Sequence, residues 1–346
     1  MHMADALLSP AVGATMWAGS LAAMGYSSKK LKENIDNKTI PLMGVMGAFI
    51  FAAQMINFTI PGTGSSGHLG GGMILAAILG PYAAFLTIAS VLIVQALFFA
   101  DGGLLALGCN IWNLGIYPCF LAYPLIYKPI AGDCASIKRL SIAAFASVLF
   151  ALQLGAFSVV LETLFSGKSE LPFGTFVLLM QPIHLAIGLV EGFVTAGIIG
   201  YVRKARPEII QSSISSQYPA SGVPVKNILI AFLVLTVITG GVLSWFASTH
   251  PDGLEWSIEK VTGKGELAEQ KQGVFAVLRE IQEKTAFLPD YNFKPAVEKK
   301  DEGNSAPTRP GIEAGTSVSG IVGGAIVLTM IVFIGFALRA FKKRQN

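Results

Sequence analysis

Residues 69–100 read LGGGMILAAILGPYAAFLTIASVLIVQALFFA and contain no charged side chain. The run is longer than the ~20 apolar residues that one membrane-spanning helix needs. Gly80-Pro81 divides it. Proline disfavours helical backbone in the residue before it, so the run is expected to break there into a short helix and a longer one. The first half is shorter than a normal span, which leaves two readings open, a full crossing or a re-entrant segment.

Working outward, further apolar stretches occur at about 6–26, 40–61, 104–127, 140–165, 174–202, 226–247 and 318–340. The chain is 53% hydrophobic and only 13% charged. A soluble domain carries roughly twice that charge, so these stretches read as an all-α, polytopic membrane protein. Of the Lys and Arg residues outside the segment 248–317, all but Lys168 fall on one side if the N-terminus lies outside the cell. That is the positive-inside pattern. The first apolar run follows Asp5 directly and the basic cluster Lys29, Lys30 and Lys32 comes after it. This order is the reverse of a cleavable signal peptide, and it predicts a retained, outward-facing N-terminus in the plasma membrane and a cytoplasmic C-terminus. Parity then requires 69–100 to cross twice or not at all, giving seven helices over 1–205. A polar linker is expected at 206–225. The region 226–346 reads as two more helices around an outer loop at about 248–317, in which Val274, Leu278 and Ile281 have the spacing of an amphipathic helix. The three cysteines show no paired spacing, so neither a zinc knuckle nor a redox pair is indicated. No nucleic-acid partner is expected.

The chain begins Met1-His2. The α-amine of Met1, the amide nitrogen of His2 and its imidazole Nδ1 can close a five-membered and a six-membered chelate ring on one ion. Three coplanar nitrogens with a fourth position open favour Ni²⁺ or Cu²⁺. Methionine aminopeptidases spare Met before a residue as large as His, so Met1 should remain. Of the other histidines (His68, His184 and His250), His68 lies just past the second helix, on the side of the N-terminus, within Gly67-His68-Leu69-Gly70-Gly71-Gly72. Glycines allow close backbone approach, which makes His68 the expected fourth donor.

These residues are also recognisable. Met1-His2-Met3-Ala4-Asp5-Ala6-Leu7-Leu8-Ser9-Pro10 and the His68-Leu69-Gly70-Gly71-Gly72 loop resemble the substrate-binding (S) component of nickel/cobalt energy-coupling-factor (ECF) transporters, the NikM/CbiM family. So do Asn110-Ile111-Trp112-Asn113 and the run from His184 to Gly192. Pro251-Asp252-Gly253-Leu254-Glu255 resembles the small two-helix companion subunit of those systems, fused here at the C-terminus as in NikMN proteins. The resemblance implies a seven-helix S-component bundle plus two C-terminal transmembrane helices. It implies metal held by the N-terminal amine, the second residue and a loop histidine, which map onto Met1, His2 and His68. It also implies that Ni²⁺ (or Co²⁺) is the transported substrate, and that a transmembrane coupling (T) subunit and ATPase (A) subunits act with this chain in the lipid bilayer. The opening motif looks more like the nickel members. The chain itself is not expected to be an enzyme: Gly167-Lys168-Ser169 ends like a phosphate-binding loop, but position 162 is Glu where that loop needs Gly.

Other polar residues are candidates for support. Asp5, Asp101, Asn110 and Asn113 could orient the N-terminal segment or hydrogen-bond a ligating imidazole. His184 and Glu191 share a helix face two turns apart, as supports of the site, as contacts to the coupling subunit or as a pair that locks the bundle. Three competing functions remain. Gly64-Ser65-Ser66-Gly67 fits the G-x-S-G pattern of rhomboid intramembrane proteases, with His184 as base. A vitamin-binding S component would need a larger pocket. A channel or ion-coupled transporter is disfavoured by the near absence of intramembrane charge.

Overall fold

The computed structural model describes residues 2–34, 39–132, 136–214, 226–268, 272–294 and 314–343. Helices fall where the apolar runs lie: α1 (Pro10–Asn34), α2 (Thr39–Gln54), α3 (Gly72–Leu79) and α4 (Pro81–Phe98). α5 (Leu107–Ile111) continues without a break into a π-helical stretch (Trp112–Tyr127) and a last turn, α6 (Lys128–Ala131). Then come α7 (Ile137–Phe165), α8 (Phe173–Ala205), α9 (Pro207–Ile214), α10 (Lys226–Gly241), α11 (Gly253–Thr262), α12 (Val274–Thr285) and α13 (Ala314–Lys343). Four of these are long and apolar enough to cross a membrane: α4, α7, α8 and α13. The chain is a helical membrane protein.

The expected break at Gly80-Pro81 is present. Gly80 takes φ +76° and Pro81 opens α4 at a position where its missing amide costs nothing. α3 has 8 residues. It rises only about 12 Å, against a hydrocarbon thickness of about 30 Å, so it cannot span by itself. α4 is the centre of the bundle. Its spanning window is 72% buried, against 28% for α13, which presents most of its surface outward. α1, α2, α3 and the π-helical stretch pack around α4, α7 and α8 pair on one flank, and α10 and α13 lie against α2 on the other.

Three elements depart from the sequence reading. A two-stranded antiparallel ribbon, β1 (Phe58–Ile60) with β2 (Ser65–Gly67), precedes the His68 loop, pairing Thr59 with Ser66. The π-helical stretch contains Pro118 and Pro124, each of which lacks the amide that an α-turn would use. The expected linker at 206–225 opens with α9, whose Ile209 and Ile210 are buried; residues 215–225 are outside the described set.

α10 and α13 cross in backbone contact. A Cβ on Gly320 would lie 2.4 Å from the Gly240 carbonyl oxygen, and one on Gly240 would lie 3.0 Å from Gly320 Cα. Small residues permit this approach in lipid, where no hydrophobic force drives helices together. Gly320→Leu is therefore expected to cost about 1–3 kcal/mol and to lower the thermal midpoint in detergent. Gly197→Ala, where an added Cβ meets nothing within 4 Å, should leave the midpoint in place.

Candidate metal centre

The N-terminal segment is drawn into the bundle. Met3, Leu7 and Leu8 are buried, and Asp5–Leu7 forms a 3-10 turn. A backbone taken out of water must find hydrogen-bond partners. Asn110 supplies them on both edges of Met3: its Oδ1 accepts from the Met3 amide at 2.8 Å and its Nδ2 donates to the Met3 carbonyl at 3.3 Å. The Gly103 amide donates to that carbonyl as well, at 3.0 Å. Asp5 Oδ1 accepts from the Ala106 amide at 2.9 Å. The segment passes so close to the 100–106 loop that a Cβ on Gly103 would sit 1.9 Å from Asp5 Oδ1. Gly102 beside it takes φ +83°.

This path delivers His2 to His68. Their rings stack with centroids 4.9 Å apart and an interplanar angle of 12°. His2 Nδ1 lies 3.0 Å from Asp101 Oδ1, and His2 Nε2 is buried without a hydrogen-bond partner among the described residues. Asp101 also accepts a short hydrogen bond from the Tyr291 hydroxyl. Burial alone would raise the Asp101 carboxyl; the His2 imidazole and the hydrogen bonds from His2 and Tyr291 outweigh it and hold the group down at about 2.

The His68 loop is held from below. Glu191 accepts from the Gly70 amide at 2.7 Å and the Gly71 amide at 2.9 Å. Gln54 donates to the Gly70 carbonyl at 2.9 Å, and Gln95 donates to Gln54 at 3.0 Å. The Gln95 carbonyl takes the Asp101 amide at 3.1 Å, so the two walls of the site are tied by one polar chain. Burial pushes the His68 imidazole down to about 3, which keeps it neutral and able to donate a lone pair at physiological pH.

Residues after 247 close the same end of the bundle. Ser66 donates its amide to the Pro251 carbonyl at 2.8 Å and its hydroxyl to the His250 carbonyl at 2.8 Å. Asp252 and Glu255 form a capping box that starts α11, and Trp256 Nε1 donates to the Thr63 carbonyl at 3.0 Å. On the other wall, Gln282 of α12 donates to the Ala96 and Gly102 carbonyls at 2.9 and 2.8 Å.

The expected residues divide as follows. His2, His68 and Asp101 meet at the mouth. Asp5 and Asn110 fix the N-terminal segment, and Glu191 fixes the loop. His184 lies on α8 with Nδ1 2.8 Å from the Met180 carbonyl and lines a small cavity that His68 also lines. Asn113 does not reach the N-terminal segment. It donates to Glu162 at 2.9 Å, because it sits one turn past Asn110 on the face toward α7. Met1 lies outside the described residues. Among the described residues, no group of three or more His, Cys, Asp or Glu side chains could hold a metal ion. The protease reading has no support, because the Ser66 hydroxyl and the His184 Nδ1 each engage a backbone carbonyl, not each other. Sequence reasoning missed Gln54, Gln95, Asp252 and Tyr291. Only Asp252 carried a local signal, the Asp-x-x-Glu spacing of a capping box.

A family model for a cobalt uptake substrate-specific transmembrane region matches residues 2–209. The chain belongs to that family, CbiM. Its C-terminal part, residues 226–340, matches the PDGLE domain, so the chain is a fusion of the NikMN type. A relative from Archaeoglobus fulgidus, named as a fused nickel transport protein NikMN, is 32% identical and aligned over 99% of both chains. The fused nickel transport protein NikMN of Rhodobacter capsulatus is 29% identical over 84% of this chain and 88% of its own. A solved structure described as a truncated transition metal transporter is 30% identical, with a TM-score of 0.52, covering 59% of this chain and 99% of that one.

Glu191 is the test of this CbiM-type scaffold. Glu191→Ala leaves two buried amides without an acceptor, at about 1–3 kcal/mol each. The expected result is a lower thermal midpoint and faster hydrogen exchange at Gly70 and Gly71, with Glu191→Gln intermediate.

Proposed function

We propose that this chain captures Ni²⁺, and less well Co²⁺, for uptake, and that the ion is bound by the Met1 amine, the His2 amide nitrogen and Nδ1, and His68. The observation that carries this reading is the delivery of His2 onto His68 by a buried N-terminal segment. The shortage of grouped side-chain donors among the described residues supports it, since main-chain nitrogens are then natural further donors. Square-planar nitrogen ligation suits Ni²⁺. Capture exchanges the contact of His2 Nδ1 with Asp101 for a contact with the ion, and Asp101 remains close as a compensating negative charge. The relatives named for nickel and cobalt transport support the same cargo.

The chain then acts as the substrate-binding subunit of an ATP-driven ECF importer. Its partners are a transmembrane coupling subunit and ATPase subunits. The N-terminus faces outward and the C-terminus faces the cytoplasm, a reading supported by the asymmetry of Lys and Arg between loops. The region 1–205 is the metal-binding domain, and 226–346 is a companion whose outer segment covers the site.

Blocking the terminal amine is the experiment. Acetylation removes the Met1 nitrogen as a donor to the five-membered ring and leaves His2 in place. The native chain should bind one Ni²⁺ with the visible absorption of a planar complex, and the acetylated chain should lose that absorption; equal binding by both would contradict the chelate.

The pH dependence follows from the donors. His68 stays neutral down to about pH 3, so it does not set the dependence. The Met1 amine, ordinarily near about 7.7–8.0, must give up its proton to bind. Affinity should therefore fall as pH drops from about 8 to about 6. An affinity that stayed flat over this range would remove the amine from the ligand set.

A further inference from the structure

Among the described residues, three other than glycine take a left-handed backbone: Ala100 (φ +53°), Asp290 (φ +50°) and Tyr291 (φ +57°). Such conformations persist only where the surroundings over-determine them, and they cluster at functional sites. All three border one contact, between the 96–102 loop that carries Asp101 and the segment 282–291. The loop is gripped along its length. Gln282 donates to the Ala96 and Gly102 carbonyls, the Leu288 amide to the Phe98 carbonyl at 3.3 Å and the Asp290 amide to the Phe99 carbonyl at 2.9 Å. Phe287 packs on Phe98 and Phe99 with ring centroids 5.7 and 6.0 Å apart. The Tyr291 ring stacks on Phe99 at 5.1 Å and meets Phe51 edge-on at 6.1 Å.

A phenylalanine at 291 would keep those ring contacts. What the tyrosine adds is a hydroxyl, which the left-handed turn at 290–291 carries to Asp101 Oδ2. The other oxygen of the same carboxylate, Oδ1, lies 3.0 Å from His2 Nδ1. An ion that takes this ring nitrogen stands about 2 Å from it, within reach of Asp101. The carboxyl is held at about 2 and is charged when the ion arrives. A free carboxylate so placed would become an oxygen ligand. Nitrogen donors in a plane select Ni²⁺ and Cu²⁺, whereas added oxygen draws the ion toward octahedral coordination and weakens that selection.

We infer that Tyr291 is a specificity-determining residue for the transported ion: its hydroxyl anchors Asp101 through Oδ2, so that the carboxylate balances the ion's charge without becoming its ligand. The inference rests on the metal reading of the preceding subsection. Tyr291 is a positioning residue, since it acts through Asp101. Its hydrogen bond stays with Asp101 when the ion displaces Oδ1 from His2, so the carboxylate keeps a partner and a fixed place. Metal choice is then shared between two regions of the chain. The nitrogen donors come from the part that matches the cobalt uptake family, and the residue that keeps oxygen out comes from the part that matches the PDGLE domain.

The test compares the full-length native chain with Tyr291→Phe, Asp101→Asn and the double variant. Ni²⁺ and Co²⁺ are titrated separately, and the visible absorption of the Ni²⁺-loaded chain is recorded. Tyr291→Phe should lose the planar absorption and narrow the preference for Ni²⁺ over Co²⁺ about tenfold. The double variant, which has no carboxylate to enter the sphere, should regain the planar absorption, and in the Asp101→Asn background the loss of the hydroxyl should have no effect of its own. Metal-free thermal midpoints report whether each variant folds. The inference is overturned if Tyr291→Phe keeps both the absorption and the metal preference. It is also overturned if the absorption is lost and Asp101→Asn does not restore it, because the tyrosine then serves the fold and not the carboxylate. A failure of the N-terminal chelate would show separately, as equal Ni²⁺ binding by the native and acetylated chains that both keep Tyr291.

Discussion

The pair of hydrogen bonds between Asn110 and the backbone of Met3 is what the site depends on. A chain terminus is charged and well solvated, and drawing its first residues into a helical bundle strips water from several peptide groups. Asn110 offers both a donor and an acceptor in one rigid amide, and so satisfies both edges of a single residue. Gly102 and Gly103 let the 100–106 loop come close enough to add a third bond, and Asp5 anchors the next turn. His2 then has little choice of position. Its stacking on His68 is a consequence of where Met3 is held.

His68 is positioned by an equally indirect route. Glu191 reaches across from α8 to two consecutive amides of the glycine loop, and the Gln54–Gln95 link ties that loop to the segment that carries Asp101. The C-terminal region covers this end of the bundle through α11 on the His68 side and Tyr291 on the Asp101 side. Its helices α10 and α13 are held to α2 and to each other by close packing at glycine. Preorganisation of this kind limits the ordering entropy left to be lost when an ion is captured.

Much of this was legible in the sequence. Charge-free runs located the helices, Gly80-Pro81 located a real break, and the spacing of Val274, Leu278 and Ile281 located α12. Asp5, Asp101, Asn110 and Glu191 stood out as polar residues in or beside apolar surroundings, and the structure places each of them on the N-terminal segment or the His68 loop. Asn113 stood out for the same reason and went elsewhere, since composition cannot say which way a helix faces. Tyr291 and Gln54 could not be read at all. Tyr291 reaches a partner 190 positions away in the chain, and nothing in its own neighbourhood announces it. The β1–β2 ribbon and the π-helical stretch escaped because short polar strands and proline-bearing helices lack a distinct periodic signature.

On the proposed reading, a terminal amine, a backbone amide and two histidines form one planar set around the transported ion. X-ray absorption at the nickel edge of the loaded full-length chain tests it most directly. A four-coordinate, all-nitrogen centre with the pre-edge feature of square-planar Ni²⁺ is expected, and that feature should vanish when His2 is replaced by alanine. A six-coordinate spectrum dominated by oxygen, unchanged by the His2 substitution, would place the ion elsewhere and contradict the N-terminal chelate.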